Sequence, residues 1–304
     1  MWFKNLTLFR LTESFTLNPA ELEEKLQQMA FKPCGAHELA SSGWVAPLGK
    51  HSEQLVHTAN SFMMLCSKRE EKVLPSQVVI ELVQDKITEI EDREGRKLAK
   101  KERTAIKDEI TFELLPKAFV FSKKTYAYID PQGGWLVVDA ASAKKAEDVL
   151  SALRKCLGSL PAVPPLTVTK PVVMMTDWLF AEHLPPADVT IEDECELRMP
   201  DEAGSTVRCK RHDLSLPEIK NHLDTGKQVI KLAISWDDRL SFVLDENLGI
   251  KQLKFLDLIQ DQVAESEANN GAEQFDVDFS IMTLELARFL PRLLDLFDGE
   301  LKSA

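Results

Sequence analysis

Residues 93–107 read Arg-Glu-Gly-Arg-Lys-Leu-Ala-Lys-Lys-Glu-Arg-Thr-Ala-Ile-Lys and form a basic island in an acidic chain. The stretch holds seven bases and two acids, so its formal charge is +5, while the whole chain carries −12. On a helix at about 100° per residue, all seven bases would fall within an arc of about 160°. Small and apolar residues would occupy the opposite side. The pattern therefore predicts an amphipathic helix with a cationic face.

Two interpretations of this cationic face stay open on the stretch alone. A lysine-rich helix face is most often just solvated. Clustered Lys and Arg on one face are also the electrostatic signature of a surface that binds nucleic acid. The candidate DNA-binding residues of this stretch are Arg93, Arg96, Lys97, Lys100, Lys101, Arg103 and Lys107.

The residues on either side predict that the basic stretch belongs to a helical hairpin. Upstream of it, apolar residues recur at three- and four-residue spacing, which predicts a helix with a core face: Val79, Leu82, Val83, Ile87 and Ile90. Gly95 is expected to bend or end this helix, and Pro116 marks the end of a second one. We therefore expect residues 76–116 to form a hairpin that projects from the body.

The rest of the chain indicates an α+β fold with mixed, largely antiparallel sheets. A strand ends at the charged run 68–72, and residues 118–129 and 135–139 are strands joined by a turn. Residues 229–236, 239–245 and 250–255 predict an antiparallel meander. Prolines at 161–165 mark a linker, and Pro291 is expected to interrupt the last helix. The predicted units are a central α+β domain (1–75 and 117–165), the hairpin (76–116), a C-terminal α+β domain (166–272) and a C-terminal helix (273–304) not assigned to either.

Three helix starts can be located from capping residues. Asn18 with Glu21, and Ser215 with Glu218, have the spacing of capping boxes. Ser142 is expected to cap a helix whose first turn carries Lys144 and Lys145. Bases at a helix start oppose the helix dipole. An external anion would explain these two lysines, and so would simple pairing with the nearby acids at 147 and 148.

Composition limits the class of protein. No run of 18 or more apolar residues exists, so no spanning helix is expected. The first residues lack the features of a signal peptide. Five scattered cysteines fit reduced thiols in a cytoplasmic protein better than a disulfide framework.

Motifs for catalysis or metal binding are weak. No Walker A sequence occurs, and the Cys34–His37 pair would be only half of a zinc site. Acidic groups near lysines, of the kind that a metal-dependent nuclease needs, occur at 70–72, 218–220 and 237–238. Such groups arise by chance when 28% of residues are charged. We predict no catalytic residue, no metal site and no cofactor, and keep a metal-dependent nuclease as an alternative function.

Several longer motifs resemble those of one family. They are Phe-Lys-Pro-Cys-Gly at 31–35, Gly-Trp-Val-Ala-Pro at 43–47, Glu-Glu-Lys-Val-Leu-Pro-Ser at 70–76, Ser-Ala-Lys-Lys-Ala-Glu-Asp at 142–148, Leu-Gly-Ser-Leu-Pro at 157–161 and Phe-Asp-Val-Asp-Phe at 275–279. The chain resembles the RdgC family, the recombination-associated proteins of proteobacteria. The resemblance covers nearly the whole chain and is weaker over residues 162–212.

The resemblance implies a non-enzymatic DNA-binding protein that forms a ring-shaped homodimer with a basic central hole. It implies binding to double-stranded DNA without sequence preference, with single-stranded DNA left open. It also implies restraint of the RecA recombinase and a place on the nucleoid in the cytoplasm. Besides DNA binding and the nuclease, a third alternative function is an acidic scaffold for a protein partner. Further bases expected at the DNA are Lys117, Lys123, Lys124, Lys144 and Lys145.

Phe119, which follows the end of the hairpin, is a candidate for the contact that closes the ring. It either packs beneath its own helices or meets the twofold-related subunit, and a symmetric interface suits an aromatic anchor. The resemblance favours the second reading, since a ring of two subunits closes at two contacts. The second contact is expected near Lys210, Arg211 and His212.

Overall fold

A computed structural model describes residues 1–180, 183–201, 204–264 and 270–301. The described residues contain eight α-helices: α1 (Pro19–Gln27), α2 (Ser76–Glu94), α3 (Lys100–Leu114), α4 (Ala143–Leu157), α5 (Pro171–Phe180), α6 (Pro217–Asp224), α7 (Asp257–Ala264) and α8 (Gly271–Asp295).

The strands form one antiparallel sheet, so the predicted α+β class is confirmed. In its described part the sheet has twelve strands: β1 (Leu6–Leu11), β2 (Ala40–Val45), β3 (Val56–Ala59), β4 (Phe62–Val73), β5 (Phe119–Asp130), β6 (Trp135–Asp139), β7 (Ala162–Val163), β8 (Val189–Arg198), β9 (Thr206–Lys210), β10 (Gln228–Trp236), β11 (Leu240–Asp245) and β12 (Ile250–Phe255). Their order is β2-β4-β5-β6-β1-β12-β11-β10-β8-β9, with β3 paired to β4 and β7 paired to β1.

The first strand joins the two halves of the sheet. β1 pairs with β6 on one side and with β12 on the other, where Leu6 lies opposite Ile250. The expected linker at 161–165 is not a free connection, because β7 pairs there with the end of β1. Backbone groups of this segment form hydrogen bonds within the sheet, because polar backbone groups that are removed from water need hydrogen-bond partners.

The sheet separates two hydrophobic cores because successive strand residues point to opposite faces. Leu6 and Leu8 of β1 enter the core shared with α8, whereas Phe9 and Leu11 enter the core covered by α1 and α4. Trp44 is buried in the second core as expected. The meander β10–β11–β12 is confirmed by its antiparallel pairings.

Two predicted helix starts have different outcomes. At α1 the capping box is confirmed: the Glu21 amide donates to Asn18 at 3.0 Å and the Asn18 amide donates to the Glu21 carboxylate at 2.9 Å. At α6 the predicted box is wrong, because Leu216 is the N-cap residue. Ser215 instead donates its hydroxyl to Asp213 at 2.6 Å.

Two other elements are longer than expected. β4 continues through the charged run to Val73, because it pairs with β5 along its whole length and leaves the core as a ribbon. α8 is one continuous helix that includes Pro291 in its interior. The predicted interruption of the last helix is therefore wrong.

Candidate nucleic-acid interface

The basic stretch forms the tip of a helical hairpin and not one continuous helix. Gly95 has a φ of +66° and ends α2 in the left-handed conformation, which glycine adopts without steric cost. Arg93 therefore lies on α2, Arg96 and Lys97 lie in the connection, and the remaining bases lie on α3. The predicted single arc of seven bases is wrong, and the charges surround the turn.

The hairpin has a small hydrophobic core of its own. Ile87, Leu98 and Ile106 are buried, with other aliphatic residues of both helices packed around them. Leu82, expected on the core face, is 40% exposed. Because this core is separate from the two cores of the body, the tip is held mainly by local contacts.

Glu91 organises one side of the tip. Its carboxylate accepts from Lys97 Nζ at 2.8 Å, from Arg103 Nη2 at 2.9 Å and from the Leu98 backbone amide at 2.9 Å. The Lys97 hydrogen bond, followed by the Leu98 amide, lowers the pKa of Glu91 below its ordinary value. Two of the seven bases are thus engaged within the hairpin. Glu91 lies outside the basic stretch, so charge counting over 93–107 missed it.

Glu102 organises the other side. It accepts from Arg96 Nη2 at 2.7 Å and from the Ala99 amide at 2.7 Å. The Arg96 guanidinium, with the Ala99 amide, lowers the pKa of Glu102 to about 2. Arg96 also lies 2.8 Å from Glu94. Arg96 is therefore a structural part of the tip as well as a surface charge.

Three lysines of α3 are left available for an external anion. Lys100, Lys101 and Lys107 are exposed and form no ion pair with any described residue. The whole hairpin, residues 76–116, contains ten acids and eight bases. Its positive character is consequently local to the tip and the start of α3.

The start of α4 carries a second basic cluster. Lys144 and Lys145 are exposed in its first turn, and Ser142 is the N-cap residue without a side-chain capping bond. Lys145 lies against Lys123 of β5, and this neighbour, followed by burial, lowers the pKa of Lys123. Two like charges held together repel each other. An anion bound between them would relieve that repulsion.

The ribbon of β4 and β5 carries further bases. Lys124 is exposed and lies opposite Lys68, a base that the sequence pattern did not single out. Lys68 Nζ is 2.8 Å from Glu70 and 4.2 Å from the centre of the Phe31 ring. Lys117 is exposed in the short 3-10 turn at the base of the hairpin.

The end of the same ribbon exposes an apolar patch. Phe119 lies opposite Val73, and Phe121, two residues along, faces the same side of the ribbon. Phe119, Val73 and Phe121 are 87%, 48% and 59% exposed, respectively. Phe119 therefore does not pack beneath its own helices, which removes the core alternative. We call Val73, Phe119 and Phe121 the ribbon patch.

The residues expected at a second contact lie at the end of β9. Lys210 Nζ is 3.0 Å from Glu194, and His212 forms an ion pair with Glu218. Arg211 has a φ of +53°. Arg211 and His212 line an open cleft of about 680 Å³ that Trp178 also borders.

The residues considered for metal chemistry make other contacts. His37 stacks on Phe112 with 3.8 Å between ring centres, and Cys34 lies 3.7 Å from the Glu70 carbonyl. Asp237 and Asp238 both have positive φ in the turn between β10 and β11. Within the described ranges, no group of three or more His, Cys, Asp or Glu side chains is arranged to hold a metal ion.

Among the helices of the described chain, none combines the length and the apolar character needed to cross a bilayer.

Comparison with known proteins gives matches over nearly the whole chain. A family model described as "Putative exonuclease, RdgC" matches residues 1–300. A recombination-associated protein RdgC from Tolumonas auensis is 49% identical over 300 residues, covering 99% of both chains. The protein of that name from Aeromonas hydrophila is 46% identical over 303 residues and covers 100% of both. One from Yersinia pestis is 43% identical over 301 residues, again 99% of both.

Proposed function

The chain belongs to the RdgC family of recombination-associated proteins, and we propose that it binds duplex DNA without sequence preference. The observation that carries the proposal is a set of three exposed lysines on α3 that form no ion pair with a described residue, in a chain of net charge −12. They are Lys100, Lys101 and Lys107. An acidic protein repels DNA over most of its surface. A local cluster of free lysines offers phosphates a site where that repulsion is reversed.

The chemistry of the tip favours phosphate contacts over base recognition. Lysine acts as a flexible point charge, and phosphate contacts fix position without conveying sequence. Arginine is the residue best suited to read a guanine edge. Of the three arginines at the tip, Arg96 and Arg103 are occupied by Glu102 and Glu91, and Arg93 lies 3.8 Å from Glu94. Phosphate contacts by lysines support binding to DNA of unrelated sequences. Single-stranded DNA is a second ligand, whose affinity should be compared directly with that of duplex DNA.

The α4 cluster is the second proposed phosphate site. Lys123, Lys144 and Lys145 stand where the first backbone amides of a 15-residue helix also face outward, and helix N-termini favour anions. In a complex, a phosphate near Lys123 and Lys145 would offset their mutual repulsion. Lys117 and Lys124 extend the proposed surface between the hairpin and α4.

The proposed assembly is a homodimeric ring with DNA inside it. Exposing Phe119 and Phe121 to water is unfavourable, since burying such side chains contributes about 1.5–3 kcal/mol each. The ribbon patch is therefore the proposed first contact with a second copy. The rim formed by Lys210, Arg211 and His212 is the proposed second contact, although two of these residues already pair within their own subunit.

Occupation of DNA by such a ring would restrain RecA without direct contact, and it would keep the protein on the nucleoid. A strand-exchange reaction in which the protein is added before RecA tests this part of the proposal. We expect inhibition that disappears when excess unrelated duplex DNA is supplied. Inhibition that survives the excess DNA would indicate direct binding to RecA.

The DNA-binding proposal is tested by replacing Lys100 and Lys101 together with Glu. Both lie in the first turn of α3, where acidic residues suit the helix dipole, so the hairpin should stay folded. Mobility shifts on several unrelated duplexes should show that affinity falls by more than about tenfold. The slope of log affinity against log salt should become shallower by about 0.9 for each phosphate that the variant no longer neutralises.

A matched control changes Lys170 and Lys254 to Glu, which alters the net charge equally at exposed positions outside the proposed DNA-binding surface and the proposed subunit contacts. This control should bind nearly as the parent does. Equal decreases in affinity in both variants would show that only net charge matters. Unchanged binding in the Lys100/Lys101 variant would reject the proposed site, and an absence of binding in the parent would leave the protein-scaffold alternative.

A nuclease is the second candidate, because the matching family model carries the word exonuclease in its description. Incubation of end-labelled linear DNA with the protein and magnesium or manganese tests it. Release of labelled nucleotides that stops on chelation would support the nuclease. Intact DNA in a reaction where mobility shift shows full occupancy would support binding alone.

A further inference from the structure

Two cysteines face each other across the outermost strand pair of the sheet. Cys195 of β8 lies directly opposite Cys209 of β9. Opposed residues in antiparallel strands have Cα atoms about 4.5 or about 5.5 Å apart. Disulfides form at Cα separations of about 4.4–6.8 Å. The two side chains also point to the same face, since both contact the core shared with α8.

The other three thiols are engaged with groups that are not sulfur. Cys156 accepts a hydrogen bond from Trp44 Nε1 at 3.1 Å, Cys66 contacts Tyr126, and Cys34 lies near the Glu70 carbonyl. Cys195 and Cys209 lie opposite each other, close enough that Cys209 contributes to the raised pKa of Cys195. Within the chain, this is the thiol pair already placed for coupling.

The two thiols differ in their access to solvent. Cys195 is 1% exposed, whereas Cys209 is partly exposed. Burial, followed by the neighbouring Cys209, raises the pKa of Cys195 to about 12. The thiolate is the reactive form of cysteine, and the raised pKa keeps Cys195 protonated. Cys209 is also the more accessible thiol, so an oxidant from solvent reacts with it first.

We propose that Cys195 and Cys209 form a reversible disulfide when the protein meets a peroxide. Hydrogen peroxide transfers one oxygen to the Cys209 thiol, which gives a sulfenic acid and one water. Cys195 Sγ then attacks Cys209 Sγ, so the S–S bond forms and the S–O bond breaks. The hydroxide leaves with the Cys195 proton as a second water. Two electrons pass from the thiols to the peroxide, and a small dithiol reverses the reaction.

The disulfide would act on the edge of the sheet. In the described part of the sheet, β9 is the terminal strand and pairs only with β8. One covalent bond to β8 would therefore prevent it from detaching. β9 runs directly into Arg211 and His212 on the rim of the cleft. Oxidation would therefore fix the position of that rim.

Peptide mapping without reduction tests the site directly. The full chain is treated with hydrogen peroxide, the remaining thiols are blocked, and the protein is digested with chymotrypsin. Cleavage after Phe180, Leu197 and Leu214 places the two cysteines on different peptides. We expect one linked species that joins these two peptides within one chain and disappears after treatment with dithiothreitol.

Three variants and one further measurement complete the test. Cys34→Ala, which removes the other partly exposed thiol, should keep the linked species, whereas Cys195→Ala and Cys209→Ala should abolish it. Hydrogen exchange at residues 206–210 should slow on oxidation of the parent chain. The site is rejected if the peroxide yields only Cys34 products or links between chains. Unchanged exchange in the linked protein would overturn the proposed effect on β9.

Discussion

Glu91 shows how a single carboxylate determines which charges of the hairpin tip are available. It neutralises Lys97 and Arg103 while it holds the connecting backbone at Leu98. Replacing Glu91 with Gln should release both bases and raise the affinity for DNA. If both reach phosphates, the salt slope should steepen by about 0.9 for each additional phosphate neutralised. Mobility shifts across a salt series measure the change.

Glu89→Gln is the matched control for this variant. Glu89 is an exposed acid of the same helix, and it pairs with Lys86 at 2.9 Å, away from the connection. The same removal of charge there should change affinity much less. A fall in affinity in Glu91→Gln, with the hairpin still folded, would mean that DNA binding needs the ordered ion pairs.

The same carboxylates predict how the tip responds to acid. The folded hairpin lowers the pKa values of Glu91 and Glu102, the latter to about 2 from an ordinary 4.5. Stability from each group is therefore complete above its unfolded value and is lost as pH falls towards the folded value. In NMR spectra of the folded protein, the amide signal of Ala99 should stay constant until pH approaches about 2, and the amide signal of Leu98 should shift only below the ordinary glutamate pKa of 4.5. Titration of these amides above pH 5 would contradict the assignment.

At the scale of elements, the α2–α3 hairpin should unfold separately from the body. Ile87, Leu98 and Ile106 form a buried cluster that is separate from the two large cores, and Val79 is buried at the start of α2 outside this cluster. Ile106→Ala should cost about 2 kcal/mol, the lower end for such changes, because the site is small and near solvent. Hydrogen exchange should accelerate over residues 76–114 while β10 and β11 keep their protection.

Thr104→Ala is the control for this change, since Thr104 is exposed on the same helix. It should leave exchange in the hairpin almost unaltered. Accelerated exchange throughout the sheet in Ile106→Ala would show instead that hairpin and body unfold as one unit.

The hairpin also shows what can be predicted from the sequence. Spaced aliphatic residues, Gly95 and Pro116 were enough to predict two helices and their ends, because each signal is local. The ion pair between Glu91 and Arg103 joins two different helices, so no rule for side-chain spacing within one helix predicts it. The full length of β4 was missed for a related reason. Its outer half carries charged residues on both faces, which removes the alternation of apolar and polar residues that marks a strand.

At the scale of the whole molecule, one sheet carries the hairpin at one end and the Cys195–Cys209 pair at the other. The continuity of this sheet depends on β1, whose pairings with β6 and β12 join residues far apart in sequence. Strand signals predicted β4, β5, β6, β10, β11 and β12, but they predicted neither β2, β3, β7, β8 and β9 nor the order of the strands across the sheet. Antiparallel pairing of distant segments is decided by packing on both faces, which one sequence does not reveal.

The proposed ring makes a prediction at this scale through Phe119. Phe119→Ser removes an apolar side chain that is 87% exposed, so the subunit should fold as before. If the ribbon patch closes one of two contacts, the variant should remain a soluble dimer through the other contact. Sedimentation analysis would establish both properties before DNA is added.

An opened ring should no longer be topologically linked to DNA, although its phosphate contacts remain. The variant should therefore dissociate from closed circular DNA much faster than the parent does after a salt challenge. On short linear DNA, from which a closed ring slides off, the two proteins should differ little. Val120→Ser is the matched control, because Val120 is also exposed but faces the opposite side of the ribbon. Equal retention of the parent and Phe119→Ser on circles would reject closure at the ribbon patch. Aggregation or unfolding of Phe119→Ser would contradict the expectation that this exposed side chain can be replaced without loss of the fold.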